Sequence, residues 1–209
     1  MSNKFAFPLY HGTSDIWLDS IKKYGLGGKK MVDFFDLESM LHQVAETCRN
    51  HNLLDSLDEL VLKKMIPYEK DAFTWEYNSV FVSICPDTAE RYAQSNKYGS
   101  EYLSAIMRLE ERIRTKGIPF QYSDDKHNDF SENLRSLSPR PIIIKIVNIN
   151  EEDLIPENNS DNPSEVFKYI YSTYDEFKDD LKMFHIFMQQ YNFKLNCVIP
   201  FEDITFDFI

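Results

Sequence analysis

Four consecutive residues near the start of the chain, His11, Gly12, Thr13 and Ser14, are suited to binding chemistry. An imidazole can donate to or accept from a sugar hydroxyl, and a glycine lets a ligand approach the main chain closely. The sequence predicts a strand over residues 5–10 and a helix start at Thr13 or Ser14. The free N–H groups of a helix N-terminus suit phosphate or amide ligands. A surface histidine beside an ordinary helix cap is the alternative interpretation.

A second group of candidates follows a β-rich run over residues 79–84, which predicts a buried strand. Ser83 lies near the end of that run. Asp87 or Thr88 can then cap a helix that carries Tyr92. A tyrosine in this position can stack on a flat ring, although it is also an ordinary core residue.

The elements that would position these side chains indicate an α+β fold, because strands and helices do not alternate in a βαβ rhythm. The helical periodicity that follows Ser14 ends at Gly25. Pro141–Val147 is the clearest strand, and its four Ile and one Val suggest a central position in the sheet. We predict further helices over 33–66, 101–116 and 164–192, a loop with a short helix at 129–137, and closing strands over 194–199 and 204–208. The chain is expected to be a single domain, 1–209, with a helical insert at about 29–74.

The composition indicates a folded protein, and its charge bears on the partners that the protein can bind. The chain is 43% hydrophobic with 16 Phe and 12 Tyr, enough for a sizeable core. Its net charge of −11 is uneven, since residues 150–209 carry 4 basic and 13 acidic side chains. That acidic third would repel nucleic acid, whose affinity for proteins depends on phosphate neutralisation.

Several classes of site have no support in the sequence. No apolar run reaches the roughly 20 residues that a membrane helix needs, and residues 1–8 do not form a secretory signal. We therefore expect a cytoplasmic protein with no membrane partner. The three cysteines lack zinc-ligand spacing, and no H-E-x-x-H motif occurs, so no metal is expected.

The order of these motifs resembles the ADP-ribosyltransferase superfamily, in the branch related to diphtheria toxin and the poly(ADP-ribose) polymerases. The resemblance is carried by Tyr-His-Gly-Thr-Ser at 10–14, Gly-Leu at 25–26, Val-Phe-Val-Ser at 80–83 and Ala-x-x-Tyr-Ala at 89–93. It covers residues 8–28 and 79–99, and extends weakly to the strand at 141–147. It implies a split β-sheet core with peripheral helices, and NAD as the substrate that supplies ADP-ribose.

The resemblance also implies a role for each matching residue. His11 would bond the ribose of the nicotinamide half of NAD, and the Gly12 main chain would hold the carboxamide. Tyr92 would stack on the nicotinamide ring. Thr13 or Ser14 would support the adenosine side, and Ser83 would lie beneath the nicotinamide pocket.

The chain departs from the family pattern at its third motif, a Glu near the start of a late strand. The matching segment, Phe193–Pro200, contains no Glu, and Asn196 or Lys194 lies nearest the expected position. Glu202 is the closest late carboxylate and is taken as the catalytic candidate, although it also fits an exposed turn. Glu76 is another candidate. Loss of the Glu argues against polymer synthesis.

The expected activity is the transfer of one ADP-ribose from NAD to a macromolecular acceptor, either protein or nucleic acid. A stand-alone format suits a bacterial or phage-type toxin or antiviral defence effector, with an inhibitory antitoxin as an expected partner. Two alternatives stay open. One is an NAD-using enzyme similar to the tRNA 2′-phosphotransferases, although Tyr10 replaces the Arg usual there. The other is a catalytically inactive module that binds NAD or ADP-ribose.

Overall fold

A computed structural model describes residues 3–28, 36–66, 79–157 and 162–209 of the chain. The described structure divides into two compact units. The first, the sheet unit, comprises residues 1–29, 79–99 and 140–209, and the second, the helical unit, comprises 30–78 and 100–139.

The sheet unit is built on an open, antiparallel sheet of six strands in the order β4-β5-β2-β1-β3-β6. The strands are β1 (Leu9–Ser14), β2 (Phe81–Ser83), β3 (Pro141–Ile146), β4 (Leu154–Pro156), β5 (Asn192–Leu195) and β6 (Ile204–Phe208). β1 and β3 pair along their whole length, from Leu9↔Ile146 to Ser14↔Pro141. The strand predicted at 141–147 is therefore an internal strand, as expected.

The described residues of the sheet unit form the helices α1 (Leu18–Tyr24), α4 (Pro86–Ser95), α7 (Pro163–Phe177) and α8 (Leu181–Met188). α7 and α8 correspond to the helical region predicted at 164–192. Their buried residues share one core with the β3 isoleucines and a cluster of aromatic rings: Phe5, Phe7, Phe167, Phe184 and Phe193. α4 begins two or three residues earlier than a cap at Asp87 or Thr88 predicts, because Pro86 occupies its first turn and Cys85 is the N-cap.

The helical unit contains α2 (Leu37–Asn50), α3 (Ser56–Met65), α5 (Glu101–Thr115) and α6 (Asp125–Ser136). The helical predictions at 33–66 and 101–116 are confirmed over the described residues. α6 begins earlier than the short helix predicted at 129–137, since Asp124 caps it through a bond from the N–H of Lys126. Residues 29–35 and 67–78, which belong to the expected insert or follow it, lie outside the described residues.

The sequence misplaced two strands. β1 covers residues 9–14 rather than 5–10, so that His11, Gly12, Thr13 and Ser14 lie inside the strand and not at a helix N-terminus. The helix that we expected to start at Thr13 or Ser14 is preceded by a 3-10 turn at Asp15–Trp17 and starts at Leu18. β5 covers 192–195 rather than 194–199.

The architecture confirms the predicted α+β class. No helix among the described residues is both long and apolar enough to cross a membrane.

Candidate functional site

The candidate site lies where β1 and β2 separate. These neighbouring strands are in register at one pair only, Tyr10↔Ser83, whereas β1 is in register with β3 over its full length. Beyond Tyr10, the next pair would join Gly12 to Phe81, and no such pair is formed in this described part of the sheet. The β1–β2 ladder therefore ends at this pair, which leaves an opening in the hydrogen-bond ladder beside residues 11–14 of β1.

The direction of the main-chain groups shows what faces this opening. Asp15 donates its N–H to the carbonyl of Arg140, on the β3 side, so even-numbered β1 residues face β2. On β2, the carbonyl of Val80 accepts from the N–H of Leu195, so Phe81 and Ser83 face β1. The main-chain N–H and C=O of Gly12 therefore point into the opening.

The His11 side chain spans part of the gap. Its Nδ1 lies 2.8 Å from the carbonyl oxygen of Phe81, the group that a regular ladder would pair with β1 main chain. Burial lowers the pKa of His11, and the bond to Phe81 opposes this shift without reversing it. The ring is thus neutral near pH 7. Because a carbonyl only accepts, Nδ1 carries the proton and donates, which leaves Nε2 as an acceptor.

Position 12 requires a glycine because any side chain there would collide with helix α4, a constraint that the sequence alone did not predict. A Cβ at this position would lie 1.9 Å from the carbonyl oxygen of Ala89 and 2.9 Å from the nitrogen of Ala93. Helix α4 thus rests directly on the β1 main chain, and the space that we assigned to a ligand on that face holds a helix. Tyr92 precedes Ala93, so its backbone lies beside Gly12, and its side chain is half-buried.

The two remaining candidates on β1 lie at the end of the opening. Thr13 is buried, and its hydroxyl donates to the carbonyl of Gly99 at 3.4 Å. Ser14 is fully buried, and its Oγ has no hydrogen-bond partner. An orphaned buried hydroxyl is uncommon in folded proteins and marks a place where a further polar group would be favourable. The structure therefore places His11, Gly12, Thr13 and Ser14 on one strand, with the Tyr92 main chain beside Gly12.

Ser83 closes the other end of the opening. Its Oγ accepts from the N–H of Cys85 at 3.1 Å and so orients the first turn of α4. Across the sheet it lies opposite Tyr10 on one side and Asn192 on the other. This hydrogen bond to Cys85 stabilises the local main chain and gives no evidence of ligand binding by Ser83.

Glu202 is not brought to this site. It lies in the 3-10 turn Phe201–Asp203 that precedes β6, which is an edge strand two positions away from β1. From the spacing of strands and residues in a sheet, Glu202 is on the order of 15 Å from His11. Glu76 lies outside the described residues.

The late strand carries no carboxylate, since β5 is Asn192-Phe193-Lys194-Leu195. Lys194 lies opposite Phe81, and Asn196 follows the strand. Sequence reasoning missed Asn192. Its side-chain amide donates to the Glu157 carboxylate at 2.8 Å, and the Glu157 N–H donates to the main-chain carbonyl of Asn192 at 3.0 Å. Only its position opposite Ser83 in the paired strands shows that Asn192 lies near the candidate site, because asparagine is a poor strand former and the sequence predicted no strand there.

Within the described ranges, no group of three or more His, Cys, Asp or Glu residues is arranged to hold a metal ion. In comparisons with known proteins, no family model matches the chain, and neither a curated protein nor a solved structure matches it.

Proposed function

We propose that this protein is an NAD-dependent ADP-ribosyltransferase that transfers a single ADP-ribose to a macromolecular acceptor. The observation that carries the proposal is the opening between β1 and β2, into which the Gly12 N–H and C=O point. A primary carboxamide carries N–H donors and a carbonyl acceptor, so it can pair with both the N–H and the C=O of an unpaired strand edge. The nicotinamide carboxamide has this chemistry, and an opening of this kind is consistent with a split sheet of the ADP-ribosyltransferase type.

His11 supplies the next contact. Its Nε2 is the acceptor that remains after Nδ1 donates to Phe81, so a ribose hydroxyl would donate to it. The bond to Phe81 also holds the ring in one orientation, so that little rotamer entropy is lost when the ligand binds.

Tyr92 supplies an aromatic surface. The close packing of α4 on Gly12 holds the Tyr92 backbone next to the opening. A tyrosine ring at that place would stack on a flat, electron-poor ring. Ser14 Oγ offers one further unused polar group close by.

The chemistry needs few protein groups. Cleavage of the bond between nicotinamide and ribose builds positive charge on the sugar, and the protein contributes by holding the ligand in position and stabilising that charge. The absence of a carboxylate on β5 supports single transfer over polymer synthesis. The same observation favours a second candidate function, a module that binds NAD without transfer.

Incubation with adenylate-labelled NAD and a lysate of the source cells tests the proposal. We expect a labelled macromolecule, with labelling abolished in His11→Ala and Tyr92→Ala. His42→Ala and Tyr169→Ala are matched controls, since both side chains are exposed and lie outside the site. Circular dichroism of all four variants checks that they are folded.

Nuclease and protease treatment of the product identify the acceptor class. Label that survives nuclease and is removed by protease indicates a protein acceptor, and the converse indicates nucleic acid. NAD binding by calorimetry with no label in any fraction supports the non-catalytic alternative. Neither binding nor labelling, or labelling that survives both site variants, would overturn the proposal.

A further inference from the structure

The edge strand β6 presents an exposed surface at the border of the sheet. Among the described residues it pairs only with β3, from Ile142↔Phe208 to Ile146↔Ile204. Thr205 and Asp207 are exposed, and Phe208 is 49% exposed. The opposite edge strand, β4, has only three residues, so β6 is the longer edge.

Two hydrogen bonds outside the strand show which β6 groups face outwards. Val147 donates its N–H to the carbonyl of Asp203, and the N–H of Ile209 donates to the carbonyl of Pro141. Odd-numbered residues of this segment therefore face β3, and the N–H and C=O groups of Ile204, Phe206 and Phe208 point away from the sheet. An extended chain that paired with these groups would continue the ladder.

We propose that a second copy of this chain supplies that strand, so that two β6 strands pair antiparallel across a twofold axis at Phe206. This register is self-complementary. Phe206 faces its own counterpart, Phe208 of each copy faces Ile204 of the other, and Asp207 faces Thr205. Aromatic and aliphatic side chains therefore meet on one face, and no like charges lie directly opposite each other.

The neighbouring antiparallel register is disfavoured. A twofold axis at Asp207 would place the two Asp207 carboxylates directly opposite each other, which destabilises a strand pair. The favoured register also brings the acidic turn at 201–203 of one copy towards the end of β6 in the other. That end carries Arg140, which pairs with Asp15 of its own copy at 2.8 Å and lies 4.2 Å from the Phe208 ring, with its side chain 65% exposed.

One strand pair buries little surface in comparison with permanent dimers, so we expect a reversible dimer with a dissociation constant on the order of micromolar. Sedimentation equilibrium over a wide range of protein concentration measures it. The variant Thr205→Asp would place a carboxylate opposite Asp207 at both ends of the pair, and we expect it to weaken association at least about tenfold.

Thr205→Asp should leave the fold of each copy intact, because Thr205 lies opposite Lys145 within the chain. The double variant Thr205→Asp, Asp207→Lys tests the register, since Asp at 205 would then face Lys at 207 of the other copy. We expect it to restore association to at least the unaltered level. Failure of the double variant to recover, with both variants folded by circular dichroism, would overturn the register.

Cross-linking checks the twofold position independently. Only this register places residue 206 opposite itself, and paired residues of this kind have Cα atoms about 5.5 Å apart, within disulfide reach. In a Cys197→Ser background, which removes the partly exposed native thiol, Phe206→Cys should form a covalent dimer under mild oxidation, whereas Thr205→Cys should not. A chain that stays monomeric at every concentration, or that captures only a different protein, would overturn the proposal.

Discussion

At the scale of single residues, the tautomer of His11 follows from its hydrogen bond to one main-chain carbonyl. The oxygen of Phe81 can only accept, so it keeps the proton on Nδ1 and leaves Nε2 free to accept. A ligand that donates to Nε2 loses this contact when the imidazole is protonated. The bond to Phe81 is compatible with either protonation state, so it is burial that favours the neutral ring in the folded chain.

The lowered pKa of His11 predicts that the proposed NAD binding is lost in acid. Burial lowers this pKa below its usual 6.5. Binding through Nε2 should therefore be constant from neutral pH upwards and be lost as the pH falls through the lowered pKa. Calorimetric titration with NAD at a series of pH values measures the effect. His11→Asn keeps an amide donor for Phe81 and removes the distal acceptor, so it should bind weakly at every pH; affinity that rises on acidification would contradict this role.

Gly12 gives a prediction about stability rather than about binding. Alanine at this position would force its Cβ against the carbonyl of Ala89, which belongs to a helix backbone and cannot rotate away. We expect Gly12→Ala to reduce the free energy of unfolding by about 3 kcal/mol. Urea unfolding measures the change. Gly117→Ala is the control, because its Cβ would meet no atom and only its positive φ of 67° is costly, by about 1 kcal/mol.

At the scale of elements, local sequence signals predicted the helices better than the strands. α5 and the pair α7 and α8 match their predicted segments, because each has a continuous apolar face. β1 was displaced because Gly12, Thr13 and Ser14 are typical of turns and caps. Full pairing with β3 overrides that preference, and pairing is a property of two distant segments.

The candidate site, like the strands, could be predicted only in part from the sequence. The motif order indicated His11, Gly12, Thr13 and Ser14 as candidates, but the opening between β1 and β2 and the contact of α4 with Gly12 depend on tertiary packing. Asn192 shows the limit most clearly. No local signal marks an asparagine as the first residue of a strand, and only its position opposite Ser83 places it near the site.

Asp58 joins two helices of the helical unit. It caps α3 together with Asp55, and its buried carboxylate pairs with Arg108 and Arg112 of α5. Burial alone would raise its pKa, but the bonds from Arg112 and Asp55 and the charges of both arginines outweigh this and lower it.

Asp58→Asn should therefore reduce the free energy of unfolding by about 3 kcal/mol near neutral pH, because two guanidinium groups lose their partner. A carboxylate with a lowered pKa stabilises the fold at pH values above its unfolded pKa, and this contribution is lost as the pH falls through the folded pKa. The difference between the two proteins should thus shrink in strong acid. Urea unfolding at neutral and acidic pH measures it, and a difference independent of pH would rule out the ion pairs as its cause.

At the scale of the whole molecule, both units are acidic. The sheet unit carries twelve basic and seventeen acidic side chains, a balance of −5, and the helical unit carries eleven and seventeen, a balance of −6. A net charge of −11 repels polyanions over a distance of about one Debye length, roughly 10 Å at moderate ionic strength. The same field attracts cationic partners.

This charge predicts how the proposed transfer of ADP-ribose depends on salt for each class of acceptor. We expect a basic protein to be the preferred acceptor, with an initial labelling rate that falls as salt is added, because screening removes the attraction. A nucleic-acid acceptor would behave in the opposite way, since screening would relieve repulsion. Initial rates at low and high salt, measured with purified acceptors and saturating NAD, separate the two cases. Efficient labelling of nucleic acid that is fastest at low salt would show that a local basic surface, rather than the net charge, governs acceptor binding.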